Sequence, residues 1–213
     1  MPGMFPITVD LAGRSCLVVG GGTVALRKVK NLLQCGAIIE VVSPSFCEEL
    51  AVMGKEGLVS LNTRKFKDHD LNGRMLVFAA TNDEITNQRI YELCRERNIL
   101  VNTVDDPERC NFLVPAIMRR GALTIAINTE GKSPMLARRI RIDMENRYGS
   151  EYADYLELLG EARAVVKNTI DQESARRLLF EKILDLPILS LLQQGEKEEA
   201  KGRILKCIYS WPD

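Results

Sequence analysis

The chain has little of what a preformed metal site requires. It contains one histidine, His69, and none of its six cysteines stands in a Cys-x-x-Cys pair. Histidines and paired cysteines are the usual ligands of structural zinc sites. The sequence therefore predicts no resident metal, and Cys16 and Cys35, which lie in apolar segments, are expected to be buried free thiols.

An excess of charge of one sign and long apolar runs are also absent. The 29 Lys and Arg residues balance 29 Asp and Glu residues, so bulk charge gives no argument for nucleic acid or an acidic membrane as partner. No apolar run is long enough to cross a bilayer, and the first residues lack a basic segment followed by an apolar one, as in a signal peptide. We therefore expect a cytoplasmic protein.

Three consecutive glycines give the strongest pattern in the chain. Gly20, Gly22 and Ala25 fit the pattern G-x-G-x-x-A between a predicted strand, 15–19, and a predicted helix, 23–34. The first glycine permits the tight turn, and the second lets the backbone approach a pyrophosphate at the positive end of the helix. The pattern predicts a dinucleotide site, and a glycine-rich structural turn without a ligand is the alternative.

The segments that follow alternate between strand and helix patterns. Strands are predicted at 38–42, 59–64, 75–79 and 99–104, and helices at 46–55 and 87–97. This alternation is typical of a doubly wound parallel sheet, an α/β Rossmann-type fold whose ligands bind at the carboxyl ends of the strands. The loops 20–23, 80–83 and 105–109 are therefore candidate site segments.

The pattern changes after residue 111. Apolar strands at 112–118 and 123–128 flank Arg119-Arg120-Gly121-Ala122 and predict a β-hairpin. Ser133 suits the N-cap and Pro134 the first position of a helix that ends near residue 148. Helices are then predicted at 151–167, 173–185 and 196–209. The expected domains are a Rossmann dinucleotide-binding domain at 1–111, a hairpin and helix segment at 112–149, and a helical C-terminal domain at 150–213.

Four segments, in this order, resemble the precorrin-2 dehydrogenases, the NAD-dependent enzymes of sirohaem synthesis that also form the N-terminal module of larger sirohaem synthases. The resemblance covers about residues 5–150, and beyond it only the helical character agrees. Since no methyltransferase domain follows, the stand-alone form is expected. The matching segments are Phe5-Pro6-Ile7 with the glycines and Arg27-Lys28, Ala79-Ala80-Thr81-Asn82-Asp83 with Asn87, residues 101–107 with Phe112 and Pro115, and Gly131-Lys132-Ser133-Pro134 with Ala137-Arg138.

The resemblance implies oxidation of precorrin-2 to sirohydrochlorin, in which a hydride passes to NAD+ and a proton leaves the macrocycle. Asp105, after the last predicted strand, matches the catalytic aspartate of the family. From the residues alone, Asp105 is equally well explained as a turn residue before Asp106-Pro107. The resemblance leaves open whether the protein also inserts ferrous ion, as a second substrate, into sirohydrochlorin.

The candidate cofactor contacts come from the strand ends. Glu40 has nearly the spacing of a ribose-binding acid, but it lies inside a predicted strand, and Ser43 stands at the end of that strand. No basic residue beside Ser43 suggests a 2′-phosphate, so NAD is predicted over NADP. The predicted cofactor contacts are Gly20, Gly21, Gly22, Thr23, Val24, Ser43, Pro44, Thr81, Asn82, Asp83, Asn102 and Val104.

A tetrapyrrole carries several carboxylates, so its binding site needs cations. The predicted substrate contacts are Asn111, Thr129, Lys132, Ser133 and Arg138, whereas Arg139 and Arg141 are expected to be solvated surface charges. The resemblance also implies that apolar residues of segment 112–149 form a homodimer interface. It therefore assigns both dimerisation and substrate binding to that segment.

Two other functions are compatible with the sequence. The first is an NAD(H)-sensing module in which the Rossmann domain reports to regulatory C-terminal helices. The second is an NAD-independent chelatase, although the intact glycine loop argues against it. Asp105 and the cations between Lys132 and Arg138 favour the dehydrogenase, because a sensor needs neither a base nor carboxylate clamps.

Overall fold

The computed structural model describes residues 3–211 and divides into two compact units, one that ends at Val114 and one that begins at Pro115. Residues 1–2 and 212–213, at the outer ends of the first and third predicted domains, lie outside the described residues. The predicted division into three domains stays a prediction.

The first unit contains a parallel five-stranded sheet. Its strand order is β3-β2-β1-β4-β5, so the chain winds outward from β1 in one direction and from β4 in the other. This order confirms the predicted doubly wound fold. The direction of winding reverses between the neighbouring strands β1 and β4. The elements are β1 (Ser15–Val19), α1 (Thr23–Leu33), β2 (Ile38–Ser43), α2 (Glu48–Lys55), β3 (Ser60–Thr63), β4 (Leu76–Ala79), α3 (Glu84–Glu96) and β5 (Leu100–Thr103).

Both faces of this sheet are covered. Val18 and Phe78 belong to the apolar layer under α1, while Leu17 and Val77 belong to the layer under α3 that contains Ile90. Adjacent strand residues point to opposite faces, so a sheet covered on both sides needs nearly continuous apolar strands. That requirement explains the unbroken apolar character of β1 and β4.

The second unit starts with an antiparallel hairpin. β6 (Ala116–Arg120) pairs with β7 (Leu123–Ile127) through the two-residue turn Gly121-Ala122. The predicted hairpin is confirmed, but its bounds were wrong. Arg119 and Arg120 belong to the strand, because the ladder continues to the pair Arg120 and Leu123. Residues 112–115 are not in a strand.

The described part of the second unit continues with five helices, and one of them was not predicted. They are α4 (Pro134–Arg147), α5 (Glu151–Thr169), α6 (Glu173–Leu184), α7 (Ile188–Gln193) and α8 (Lys197–Tyr209). The unpredicted helix α7 has six residues, too few for stability alone, but Ile188 and Leu191 are buried in the core that α5, α6 and α8 share. Among the described helices, none is long and apolar enough to cross a membrane. The predicted cytoplasmic location stays a prediction.

Asp70 is the most buried acid of an ion-pair network at the edge of the first unit. Its side chain is 2% exposed and accepts hydrogen bonds from Arg64 Nη1 at 2.8 Å, from Arg64 Nη2 at 2.6 Å and from the Lys67 amide at 2.9 Å. Burial raises the pKa of Asp70, but these donors and the charge of Arg64 more than offset it, and the pKa lies below its ordinary value.

We predict that Asp70→Asn lowers the melting temperature at pH 7 by on the order of 5 °C. Because the folded-state pKa is depressed, the contribution of the carboxylate is present above its unfolded-state pKa, near 3.8, and is lost as the pH falls through the folded-state pKa. Melting curves of both proteins between pH 7 and pH 3 should therefore converge at low pH. Asp68→Asn, which removes an exposed pair with Arg89, is the control and should change stability less. A difference in melting temperature that is constant down to pH 3 would contradict this account.

Candidate functional site

A cavity of about 760 Å³ lies at the carboxyl ends of the strands in the first unit. It is bounded by the loops that follow β1, β2, β3 and β4, as expected for a ligand site in a doubly wound sheet. Ten of the twelve predicted cofactor residues line it: Gly20, Gly21, Gly22, Thr23, Val24, Ser43, Pro44, Thr81, Asn82 and Asp83.

Two of the three glycines are required by the protein itself. Gly20 has a φ of +123°, and a Cβ there would overlap the backbone carbonyl of Ala80. A Cβ at Gly21 would overlap the backbone carbonyl oxygen of Ser45. Both glycines therefore allow the loops after β2 and β4 to close against the end of β1.

Gly22 is different, because the fold does not require a glycine there. Its φ of −86° suits any residue, and a Cβ would meet nothing within 4 Å. Gly22 is the N-cap of α1, whose first turn has no acidic residue and no side-chain cap. The amides at this helix start remain open to an anion, so the residues present fit the pyrophosphate of a dinucleotide.

The loop after β4 is held by its own hydrogen bonds. Buried Asn87 donates from Nδ2 to the Thr81 carbonyl at 2.9 Å and accepts from Thr81 Oγ1 at 2.8 Å. Asp83 accepts from Thr86 Oγ1 at 2.6 Å and from the Ile85 amide at 3.1 Å, which caps α3. The Thr86 hydrogen bond is the main reason why the pKa of Asp83 lies below its ordinary value. Asn82 stays exposed at the cavity.

The end of the cavity near β2 lacks a ribose-binding acid. Glu40 is occupied elsewhere, since it accepts a hydrogen bond from Asn62 Nδ2 at 2.7 Å and forms an ion pair with Arg74. Ser43 lines the cavity, and so does Lys65, which follows β3. No basic residue stands beside Ser43 in the sequence, but the fold brings the cation Lys65 to the same cavity. Lys65 is more than twenty residues from Ser43 in the sequence, and the pairing of β3 with β2 brings it to the cavity.

The loop after β5 separates two adjacent acids. Asp106 accepts a hydrogen bond from the Arg109 amide at 3.2 Å and pairs with Arg109 Nε at 3.2 Å, so its carboxylate stabilises its own turn. Asp105 is exposed, has a φ of +59°, and forms no hydrogen bond or ion pair with another described residue. Aspartate tolerates this left-handed conformation better than most residues do.

Two other predicted residues, Asn102 in β5 and Asn111 after it, make structural contacts. Asn111 Oδ1 accepts from the Val101 amide at 2.7 Å, and Nδ2 donates to the Ile99 carbonyl at 2.8 Å, so this side chain covers the edge of β5. Asn102 Nδ2 donates to the Phe112 carbonyl at 3.1 Å. Asn102 and Val104 do not line the 760 Å³ cavity. The ligand contacts predicted for Asn102, Val104 and Asn111 stay predictions. The backbone hydrogen bonds of the two asparagine side chains give them no support.

The predicted substrate segment of the second unit begins with a helix cap. Ser133 Oγ accepts from the Leu136 amide at 3.2 Å, which confirms the predicted N-cap. Thr129 Oγ1 accepts from the Ser133 amide at 3.3 Å, so both hydroxyls shape the start of α4. Lys132 and Arg138 are exposed.

Two other cations of the second unit, Arg120 and Arg141, already have partners within the protein. Arg120 donates to the carbonyls of Tyr148 and Glu145 near the end of α4, and Arg141 pairs with Glu145. Within residues 3–211, no group of three or more His, Cys, Asp and Glu side chains is placed to hold a metal ion.

Comparison with known proteins identifies the family. Residues 7–116 match a model of NAD(P)-binding domains, residues 120–147 match the central region of sirohaem biosynthesis proteins, and residues 151–206 match the sirohaem synthase dimerisation region. A solved chain described as "SirC, precorrin-2 dehydrogenase" is 33% identical with a TM-score of 0.78, over 95% of this chain and 100% of that one. The chain belongs to the precorrin-2 dehydrogenase and sirohaem synthase family.

The chain also matches curated relatives that are longer than itself. A siroheme synthase of Thioalkalivibrio sulfidiphilus is 40% identical over 204 residues, which are 96% of this chain and 42% of that protein. One from Nitrosococcus oceani is 35% identical over 199 residues, which are 93% of this chain and 42% of that protein. The chain thus spans about two fifths of the length of these relatives.

We predict that Gly22→Ala weakens dinucleotide binding at least tenfold without lowering the melting temperature. The added methyl group meets no protein atom, but it occupies the space through which a pyrophosphate reaches the start of α1. Gly21→Ala should instead lower the melting temperature, because its Cβ would overlap the Ser45 carbonyl. Gly202→Ala, in open space on α8, is the control and should bind normally with equal or higher stability. Thermal melts and fluorescence titration with NAD+ measure both properties, and normal binding by Gly22→Ala would contradict the prediction.

Proposed function

We propose that this family member oxidises precorrin-2 to sirohydrochlorin with NAD+ as the hydride acceptor. The observation that carries the proposal is the free carboxylate of Asp105 at the carboxyl end of a dinucleotide-binding sheet, beside an Asp106 that its own turn occupies. The similarity to the solved precorrin-2 dehydrogenase and to siroheme synthases supports it.

The residues of the first unit have separate tasks in this reaction. Gly22 and the open amides of α1 bind the pyrophosphate, while Ser43 and Asn82 line the cavity that receives the rest of the dinucleotide. When bound, NAD+ supplies the acceptor for the hydride that leaves the macrocycle. The substrate also loses a proton, and Asp105 takes it as general base. The two hydrogens lost by precorrin-2 are thus a hydride and a proton.

Asp105→Asn tests the base. Asparagine has nearly the same shape and also tolerates a positive φ, whereas alanine would add backbone strain at φ +59°. We expect turnover to fall by about 10²-fold or more, the contribution typical of a general base, with unchanged NAD+ affinity. The assay follows NADH and sirohydrochlorin spectra anaerobically after mixing with enzymatically generated precorrin-2.

Asp106→Asn is the matched control for this experiment. It keeps the neighbouring position and should retain most of the turnover, with a lower melting temperature because the pair with Arg109 is lost. Wild-type turnover in Asp105→Asn would rule out Asp105 as the base.

The same assay distinguishes the alternative functions. A sensor would bind NAD+ and form no NADH with precorrin-2. Parallel reactions with NADP+ show whether Lys65, which lines the cavity, lets a 2′-phosphate bind. Adding cobalt or ferrous ion after the oxidation tests whether the protein also inserts a metal ion, as substrate, into sirohydrochlorin.

The proposal also gives a role to Lys132 and Arg138, two exposed cations that can bind substrate carboxylates. We predict that Arg138→Met raises the KM for precorrin-2 about tenfold and leaves kcat and NAD+ affinity nearly unchanged, because it removes a binding contact and no reacting group. Arg139→Met, one residue further on α4, is the control and should behave as wild type. Equal KM values in all three proteins would exclude this role of Arg138.

We propose further that the protein is a homodimer. The match of residues 151–206 to the sirohaem synthase dimerisation region supports this, and so do exposed apolar residues of α4, among which Met135 is 83% and Leu136 49% exposed. Sedimentation velocity of the purified chain measures the oligomeric state.

A further inference from the structure

The cavity at the strand ends carries two charged side chains that differ in availability. Among the described residues that line it, only Lys65 and Asp83 are charged. The Asp83 carboxylate caps α3 and binds Thr86 Oγ1, so it is engaged within its own loop. The Lys65 ammonium is exposed and has neither a hydrogen bond nor an ion pair with another described residue. Within this lining, Lys65 is therefore the cation that is available to a ligand.

The position of Lys65 is fixed by the pairing of β3 with β2. Ser43 and Thr63 are partners in the parallel ladder, and the Arg64 amide donates to the Ser43 carbonyl at 3.1 Å. Lys65 is the next residue, and its carbonyl accepts a hydrogen bond from Arg64 Nη1 at 3.1 Å. Arg64 binds Asp70 with both terminal nitrogens, so the fold engages one of these two consecutive cations and leaves the other at the cavity.

Ser43 adds a hydroxyl without a protein partner to the same part of the cavity. The residue is only 7% exposed, and its Oγ forms no hydrogen bond with another described residue. It borders the glycine turn, since a Cβ at Gly21 would lie 2.9 Å from Ser43 Oγ. Burial of an unpaired hydroxyl is costly, and a polar group of a ligand in the cavity would remove that cost.

The acid that would exclude a 2′-phosphate is not present in this part of the cavity. Dinucleotide-binding folds hold the adenosine ribose at the end of the second strand, where an acid binds the 2′-hydroxyl of NAD+ and a cation accommodates the 2′-phosphate of NADP+. Glu40 has nearly the spacing of that acid, but it binds Asn62 and Arg74 and does not line the cavity. The groups at this position are thus a hydroxyl and a cation.

We propose that Ser43 and Lys65 form a subsite for the adenosine ribose that admits a 2′-phosphate, so that the protein binds NADP+ as well as NAD+. This inference rests on the proposed function, whose hydride acceptor binds in the same cavity. Ser43 binds the ribose of either dinucleotide. Lys65 adds an ionic contact that only the 2′-phosphate of NADP+ can use.

Binding measurements in the absence of the tetrapyrrole test the subsite. Calorimetric titration of the purified chain gives dissociation constants for NAD+ and NADP+, and for 2′,5′-ADP and 5′-AMP, which differ by the 2′-phosphate alone. We expect wild-type protein to bind 2′,5′-ADP more tightly than 5′-AMP. Lys65→Met should raise the ratio of the NADP+ to the NAD+ dissociation constant about tenfold, because a charge-assisted contact is lost. Lys65→Glu should raise the ratio further, since the new carboxylate repels the phosphate.

Two further variants separate the subsite from general effects. Lys55→Met removes the same charge from the far end of α2, outside the residues that line the cavity, and should leave the ratio unchanged. Ser43→Ala should weaken both dinucleotides about fivefold, as expected for the loss of one hydrogen bond. It should not lower the melting temperature of the ligand-free protein, because the hydroxyl binds no other described residue.

The outcomes for the subsite and for the proposed function are separable. Binding of NAD+ without measurable binding of NADP+, or an unchanged ratio in both Lys65 variants, would overturn the subsite and leave the proposed oxidation of precorrin-2 intact. Binding of neither dinucleotide would overturn both proposals. A raised ratio in the Lys65 variants, with NAD+ still bound, would support the subsite whatever turnover Asp105→Asn shows.

Discussion

The close approach of three backbone segments at the end of β1 is the constraint on which the site depends. Gly20 brings the chain against the Ala80 carbonyl, and Gly21 brings it against the Ser45 carbonyl. No side chain fits between these segments, so the loops after β1, β2 and β4 must meet at one edge of the sheet. That contact creates the 760 Å³ cavity and leaves the start of α1, with Gly22, facing into it.

The acids of the first unit fall into two groups: carboxylates that are bound by partners within the protein, and the carboxylate of Asp105, which is not. Asp70 and Glu40 are bound by arginines, and Asp106 is bound within its own turn. Removing water from a charge is costly, so each of these less exposed carboxylates has a partner. Asp105 is exposed, and its carboxylate forms no hydrogen bond with the described residues. This availability is what the proposed role of Asp105 requires, because a carboxylate that is fully occupied by hydrogen bonds is a poor proton acceptor.

Much of the cofactor cavity was predictable because its residues are adjacent in the chain to strong local signals. Three of its segments lie at or just after the end of an apolar strand: the glycine turn, Ser43 and Thr81–Asp83. Parallel strands bring their carboxyl ends to one edge of the sheet. Lys65 was missed although its strand was predicted, because the pairing of β3 with β2, which brings Lys65 to the cavity, is not visible in the local sequence. The hydrogen bonds of Asn111 to the backbone of Ile99 and Val101 were not predicted, since nothing in the neighbouring sequence indicates that its amide pairs with the edge of β5.

The sequence by itself determined the doubly wound sheet, the hairpin and the Ser133 cap, because periodicity, glycine turns and capping act over a few residues. Tertiary structure decided what depends on distant partners. The helix α7 exists because a core made by three other helices buries Ile188, and Glu40 is unavailable to a ribose because Arg74, 34 residues away, binds it. The two adjacent acids also differ only in the folded turn, which binds the carboxylate of Asp106 to Arg109 and leaves that of Asp105 without a hydrogen bond to the described residues.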